Sequence, residues 1–322
     1  MRFLVTGGAG FIGSHIVEKL LKEGHFVRVL DNFATGKEEN LAFVSELGVH
    51  SSQFELIKGD ICDYFTCFNS CKGIDYVLHQ AALKSVPKSM SQPHEYNETN
   101  IDGTVNLLRA ARANKVKRFV FASSSSVYGT VDVFPQKEEH LPKLISPYAL
   151  TKLAGEYYCR VFSENFGLET VSLRYFNVFG PRQAPDDEYA AVIPKFIQCL
   201  ITGEQPPIFG DGKQSRDFTH VYNVVEANIL AATTPGIKCE VLNVALGKDS
   251  SILELVDLLN AAIGKTIAPK FLPPRVGDVK RSLADTSRIK EVLNYVSRLD
   301  FKQGLENTVD WSLVVYSLQV KG

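Results

Sequence analysis

Arg2-Phe3-Leu4-Val5-Thr6-Gly7-Gly8-Ala9-Gly10-Phe11-Ile12-Gly13 opens the chain, and its reading decides the fold. A short apolar run ends at clustered glycines, and a helix-period pattern follows over Phe11–Glu23. That is a strand, a tight turn and a helix. Glycines at 7, 10 and 13 permit the turn and let backbone N–H groups approach a pyrophosphate at the helix N-terminus. The spacing is GxxGxxG, not the GxGxxG of the common dinucleotide fingerprint. Taken alone, the loop is also compatible with a turn that binds nothing.

The next apolar run, Phe26–Leu30, ends at Asp31-Asn32. A carboxylate there accepts hydrogen bonds from adenosine ribose hydroxyls and repels a 2′-phosphate, which favours NAD over NADP. Asp-Asn is also ordinary turn chemistry. Asp60-Ile61, after a third run Phe54–Lys58, falls where the adenine edge is expected. Further runs at Tyr76–Ala81, Phe119–Ser123 and Thr170–Tyr175 are nearly continuous in apolar residues, as parallel strands covered on both faces should be. Helical patterns at His94–Asn114 and Tyr148–Asn165 lie among them. The repetition predicts an α/β fold, a doubly wound, Rossmann-type parallel sheet with a smaller C-terminal substrate-binding lobe. From about Asn177 prolines punctuate shorter elements, and Val241–Ala245 is expected to return to the main sheet. The expected division is a dinucleotide-binding domain over 1–176, with a returning segment at about 220–247, and a second lobe from 177–219 and 248–322.

Composition narrows the function classes. The 322 residues carry a net charge of −1, with 45% hydrophobic and 22% charged residues. No basic field suggests nucleic acid, and no apolar run is long enough to span a bilayer. Cys62, Cys67, Cys71, Cys159, Cys199 and Cys239 fit no zinc spacing, and the seven histidines are scattered, so no metal is expected. Reduced cysteines and a first strand beginning at Arg2 point to a cytoplasmic protein.

The chemistry lies in Ser146-Pro147-Tyr148-Ala149-Leu150-Thr151-Lys152. Tyr148 and Lys152 are four apart on an expected helix and share a face. A free tyrosine, with a pKa near ~10, is a poor base at neutral pH. A neighbouring ammonium favours the phenolate. Upstream, the run Arg118–Ala122 closes on four serines, Ser123 to Ser126, one of which can relay a proton to a substrate oxygen. Tyr and Lys at this spacing more often mean a packed tyrosine beside a solvated lysine. Behind a glycine loop and after a serine-terminated strand, the catalytic reading is preferred.

With these motifs in place, the chain resembles the extended short-chain dehydrogenase/reductase family, and most of all its nucleotide-sugar 4-epimerases. The matching stretches run the length of the chain: TGGAGFIGSH (Thr6–His15), GDI (Gly59–Ile61), HQAALKSVPKS (His79–Ser89), TNIDGTVNLL (Thr99–Leu108), SSSSVYG (Ser123–Gly129), YALTK (Tyr148–Lys152), RYFNVFGPRQ (Arg174–Gln183), GDGKQSRDFTHV (Gly210–Val221) and RVGDVKRSLAD (Arg275–Asp285). The resemblance implies that Ser124 is the catalytic hydroxyl with Ser125 assisting, that Tyr148 is the base, and that Lys152 is its activator and a ribose ligand. It implies cofactor contacts from Gly7, Gly10, Phe11, Ile12, Gly13, Asp31, Asn32, Asp60 and Ile61. Ala81, Ala82, Lys84, Asn100, Tyr175 and Val178 complete that set. Lys84, Ser124, Ser126, Asn177, Arg216, Arg275 and Asp278 are implied to hold the nucleotide diphosphate sugar. Ser282, seven residues past Arg275, falls at a gate beside the sugar, where a small residue leaves room for a C2 N-acetyl group.

The implied activity is reversible C4 epimerisation of a UDP-sugar through a 4-keto intermediate, using tightly bound NAD that is not consumed. UDP-N-acetylglucosamine and UDP-N-acetylgalactosamine are the expected substrates, with UDP-glucose and UDP-galactose beside them. UDP-glucuronate or UDP-N-acetylhexosaminuronate 4-epimerases remain competitors, since UDP-glucuronate 4-epimerases share SSSSVYG, although they usually carry Thr at the position of Asn177. Dehydratase relatives need an Asp-Glu pair where this chain has Ser125 and Ser126. A non-catalytic NAD-binding sensor or scaffold is the alternative of another class. Family members pair two helices across a two-fold axis, implying a homodimer through helices at about 94–114 and 148–165.

Overall fold

The structure, a computed structural model, describes residues 1–50, 52–184, 192–274 and 279–321. Arg275 and Asp278 lie outside the described residues. Seven parallel strands form the main sheet: β1 (Arg2–Thr6), β2 (Phe26–Asp31), β3 (Phe54–Lys58), β4 (Tyr76–His79), β5 (Arg118–Ser124), β6 (Glu169–Tyr175) and β7 (Cys239–Val244). Their spatial order is β7-β6-β5-β4-β1-β2-β3. The chain therefore winds outward in both directions from β1 and β4, and the crevice between their carboxyl ends is where such a sheet receives a ligand.

The continuous apolar runs follow from burial on two sides. In β1, Phe3 and Val5 enter the core cluster on one face, and Leu4 enters the cluster on the other. In β5, Val120 and Ala122 divide from Phe119 and Phe121 in the same way. The Phe11–Lys22 and Val221–Thr233 helices cover the first face. The Tyr64–Ser70, Gly103–Ala113 and Pro147–Phe166 helices cover the second. A separate apolar cluster joins the Val192–Thr202, Ile252–Ile263 and Phe301–Lys321 helices of the smaller lobe. Short strands form small sheets apart from the main one, including Ser215–Arg216 flanked by Ser250–Ser251 and Arg281–Ser282.

One expected helix differs. In place of a single helix over His94–Asn114, the chain forms Pro93–Asn97, a π turn at Glu98–Asp102 and then Gly103–Ala113. The wide turn brings the Asn100 amide inward, where it bonds Leu83 and Thr151. No helix among the described residues is long and apolar enough to cross a membrane.

Candidate active site

A cleft of about 1330 Å³ opens over the carboxyl ends of β1, β2, β4, β5 and β6. The glycine loop forms its floor. Gly7 adopts a φ of +66°, and a Cβ there would lie 2.7 Å from Ala81 N, while a Cβ on Gly13 would overlap the Gly7 carbonyl oxygen. The loop must therefore be bare backbone. Gly10 caps the Phe11–Lys22 helix without any side-chain acceptor, so the first-turn N–H groups face the cleft with no side chain over them. This cradle fits an anionic pyrophosphate.

At the end of β2 Asp31 is buried, its Oδ2 accepting from Ala9 N at 2.9 Å and its Oδ1 from Phe33 N at 2.8 Å. Asn32 lines the cleft and donates to Asp60 Oδ2 at 2.8 Å. Ile61, Ala81, Ala82 and Lys84 also line it. Beneath the loop, His79 bridges Thr6 and Thr104. Burial, aided by the charge of Lys152, holds its imidazole down to about 3, so it stays neutral.

The Pro147–Phe166 helix begins at Ser146, whose hydroxyl accepts from Ala149 N, with Pro147 in the first turn. That start aims both Tyr148 and Lys152 into the cleft. Burial pushes the Tyr148 phenol up, and a hydrogen bond with the Ser124 hydroxyl opposes it. Ser124 Oγ also donates to Ser126 Oγ at 3.1 Å. Ser123 is excluded from the relay because its hydroxyl donates to Glu156. Glu156 in turn holds a buried bidentate pair with Arg174, at 2.9 and 2.8 Å. Lys152 is anchored to the end of β5. Its ammonium donates to the Ala122 carbonyl at 2.8 Å and lies 5.9 Å from the Tyr148 ring centroid. Burial brings Lys152 itself down to about 8. Two of its N–H donors remain for a ribose.

Several residues expected near the cofactor also make bonds that brace the site. Asn100 is 2% exposed, and its amide is committed to both backbone groups of Leu83 and to Thr151 Oγ1, beside Lys152. Asp60 does not line the cleft; it accepts from Asn32 and from Cys62 N. Val178 sits in a short strand paired with Thr219 and packs on the core, because the chain leaves the cleft after Tyr175. Tyr175 does line the cleft. Its hydroxyl accepts from Asn228 Nδ2 at 2.8 Å and reaches Gln80 Oε1 at 3.1 Å, and Gln80 Nε2 donates to Asn228 Oδ1 at 3.0 Å. The three side chains close a ring of satisfied bonds at the cleft wall.

On the smaller lobe, Asn177, Arg216 and Ser282 come together. Asn177, at a φ of +35° that asparagine tolerates better than most residues, donates to Ser282 Oγ at 3.3 Å and to the Asp217 carbonyl at 3.1 Å. Ser282 pairs with Arg216 in the short sheet. The Asp217 carboxylate accepts from the N–H groups of Leu246, Gly247 and Ala284, tying this region to the returning chain. Asn177, Arg216, Ser282 and the serines 124, 125 and 126 do not line the main cleft.

Sequence reasoning missed the Phe33–Asn40 loop, Gln80, Leu83, Arg182 and Trp311 as cleft residues. Only the Gln80 position had a signal, as the residue following a parallel strand end. Among the described residues no group of three or more His, Cys, Asp or Glu side chains is arranged to hold a metal ion.

The comparisons with known proteins agree with this geometry. Residues 3–245 match the family model described as the NAD dependent epimerase/dehydratase family. A UDP-N-acetylglucosamine 4-epimerase from Methanobrevibacter ruminantium, solved with UDP-N-acetylmuramic acid, is 42% identical, with a TM-score of 0.91 and 98% of each chain covered. A UDP-glucose 4-epimerase from Thermotoga maritima, solved with UDP-glucose, is 38% identical, with a TM-score of 0.91, over 98% of this chain and 100% of that one. A UDP-glucuronic acid 4-epimerase from Bacillus cereus, solved with UDP-glucuronic acid and NAD, is 34% identical, with a TM-score of 0.89, over 98% and 100%. The chain that builds this cleft belongs to the NAD dependent epimerase/dehydratase family.

Proposed function

We propose that this protein is an NAD-dependent UDP-sugar 4-epimerase, acting on UDP-N-acetylglucosamine and UDP-N-acetylgalactosamine and also on UDP-glucose and UDP-galactose. The observation that carries this reading is that Tyr148 and Lys152 enter the same cleft as the glycine loop and Asp31. Bound NAD supplies reversible hydride uptake, held by the glycine loop, Asp31 and Lys152. Tyr148 takes the proton of the sugar C4 hydroxyl and later returns it, with Ser124 holding the shared oxygen. A positioned acid–base group of this kind contributes on the order of 10²–10⁴ in rate. Arg216 and Asn177 hold the nucleotide sugar, and arginine suits a diphosphate through its fork of donors. Ser125 and Ser126 stand where a dehydratase needs an acid and a base, so the ketone has no partner for elimination.

The preference for acetylated sugars rests on the small Ser282 next to Asn177. UDP-glucuronate is the second reading, supported by the SSSSVYG run and the 34% identical relative. The test is turnover of UDP-N-acetylglucosamine, UDP-glucose and UDP-glucuronate side by side, with no added cofactor. Epimer from the first two supports the reading. Epimer from UDP-glucuronate alone selects the second, and no turnover of any favours a non-catalytic NAD-binding protein.

A further inference from the structure

Asp217 joins Arg216, Asn177 and Ser282 to the end of the main sheet. Arg216 is its neighbour in sequence, its carbonyl accepts from Asn177 Nδ2 at 3.1 Å, and its N–H donates to the Ser282 carbonyl at 2.8 Å. Its side chain reaches the other way. Oδ1 accepts from Leu246 N at 2.9 Å, and Oδ2 accepts from Gly247 N at 3.0 Å and from Ala284 N at 3.3 Å. Leu246 and Gly247 lie just past the end of β7. Gly247 takes a φ of +74°, and a left-handed residue there can aim consecutive N–H groups at one anion. One side chain thus ties three segments: the Ser215–Arg216 strand, the run from Ser282 to Ala284, and the exit of β7.

The carboxylate is fully buried. Burial pushes it up to about 7, against the pull of its three backbone bonds. An acid raised in the folded chain lowers stability at every pH above its ordinary range. The ionised group is therefore held at a cost, and what it supplies is position. The glycine loop leaves β1, which β4, β5 and β6 separate from β7, so this tie acts on one end of the sheet and not on the cradle at its centre.

We propose that Asp217 is a positioning residue for the nucleotide sugar: its carboxylate fixes Arg216, Asn177 and Ser282 as one unit against the end of β7. The proposal rests on the reading of Arg216 as a ligand of the nucleotide diphosphate.

The experiment compares Asp217→Asn, Arg216→Ala and Leu259→Ala with the wild type. Leu259 lies in the core of the smaller lobe and outside this tie, so its truncation reports lost stability alone. NAD content is read after acid release, UDP affinity by calorimetry on the NAD-loaded protein, and KM and kcat with UDP-N-acetylglucosamine. In Asp217→Asn the amide keeps the shape but turns one N–H toward another. UDP affinity should weaken on the order of tenfold, as for one displaced charge-assisted hydrogen bond. KM should rise in the same proportion with kcat kept, and NAD content should match the wild type. Leu259→Ala should lower the melting temperature and leave UDP affinity as it was. Normal UDP affinity in Asp217→Asn beside a weakened Arg216→Ala would overturn the role of Asp217 and leave Arg216 as the ligand. Loss of NAD from Asp217→Asn and also from Asp217→Ser, which keeps an acceptor without the opposing amide, would make the residue one that serves folding and would overturn it too. Equal loss of UDP affinity in Leu259→Ala would assign the effect to stability, with the same consequence. If Arg216→Ala binds UDP normally, the ligand reading fails and takes this inference with it.

Discussion

Ser282→Tyr separates the two substrate classes. Ser282 is 9% exposed, accepts from Asn177 at 3.3 Å and faces Arg216 in register. The substitution has two costs common to every substrate. Loss of the Asn177 bond costs about 1 kcal/mol, and an extra ring in a packed site costs about 1–3 kcal/mol. A third cost falls on acetylated sugars alone. Rejecting one additional methylene is worth about 1–3 kcal/mol, or roughly 10–200-fold, and an acetyl group is larger than that. The ratio of kcat/KM for UDP-N-acetylglucosamine over UDP-glucose should therefore fall by about 100-fold or more. Ser282→Ala removes the hydroxyl without adding bulk and should leave that ratio nearly unchanged. Both ratios come from steady-state assays of one preparation of each variant. If both sugars lose activity in equal proportion in Ser282→Tyr, or if the alanine variant shifts the ratio as far, Ser282 is not the gate.

Tyr148→Phe keeps the ring and removes the base. Turnover should drop on the order of 10²–10⁴ with NAD and UDP binding kept, and near-normal turnover would place the base elsewhere. Lys152→Met tests a conflict between stability and function. Burial lowers Lys152 from 10.5 to about 8, so below that pH the folded chain bears the cost of a buried ammonium. Between the two values only the unfolded chain is protonated, and wild-type stability rises with pH. The methionine variant should be inactive yet more stable at pH 7, by up to about 3 kcal/mol less about 1 kcal/mol for the stranded Ala122 carbonyl. The gain should fade as pH climbs through that range, and a variant less stable than wild type at pH 7 would contradict the cause given. Leu150, Tyr157 and Val161 on the Pro147–Phe166 helix are 54%, 59% and 44% exposed. Light scattering should give a dimer mass that falls toward monomer in Leu150→Glu/Tyr157→Glu, and a concentration-independent monomer in the wild type would remove the dimer proposal.

The sheet was legible because its strands are short, apolar on both faces and separated by helices. Phe54–Lys58 has the same bounds in sequence and structure, and Arg2–Thr6 likewise. The two- and three-residue strands of the smaller lobe were not legible. Ser215–Arg216 gains its partners, Ser250–Ser251 and Arg281–Ser282, from distant chain, and no local pattern announces such pairing. The π turn was hidden for a similar reason, since Glu98–Asp102 reads as helix until the Asn100 contacts to Leu83 are known. In the candidate site, the motifs located the glycine loop, Asp31, Tyr148 and Lys152, which share one cleft. They did not reveal which groups are occupied. Ser123 differs from Ser124 only through Glu156, and Asn100 differs from a ligand only because its amide is already satisfied. The Phe33–Asn40 loop carries no chemistry of its own and reaches the cleft through its bonds to Ala9.

The most direct test of the central claim follows the C4 hydrogen. UDP-N-acetylglucosamine carrying deuterium at C4 is incubated with the purified protein in ordinary water, without added cofactor, and the product is read by NMR. If Tyr148 moves only the hydroxyl proton while the C4 hydrogen travels as a hydride within the site, UDP-N-acetylgalactosamine should form with its deuterium retained. Epimer that has lost the label to solvent would show proton abstraction from carbon and would contradict the proposed mechanism.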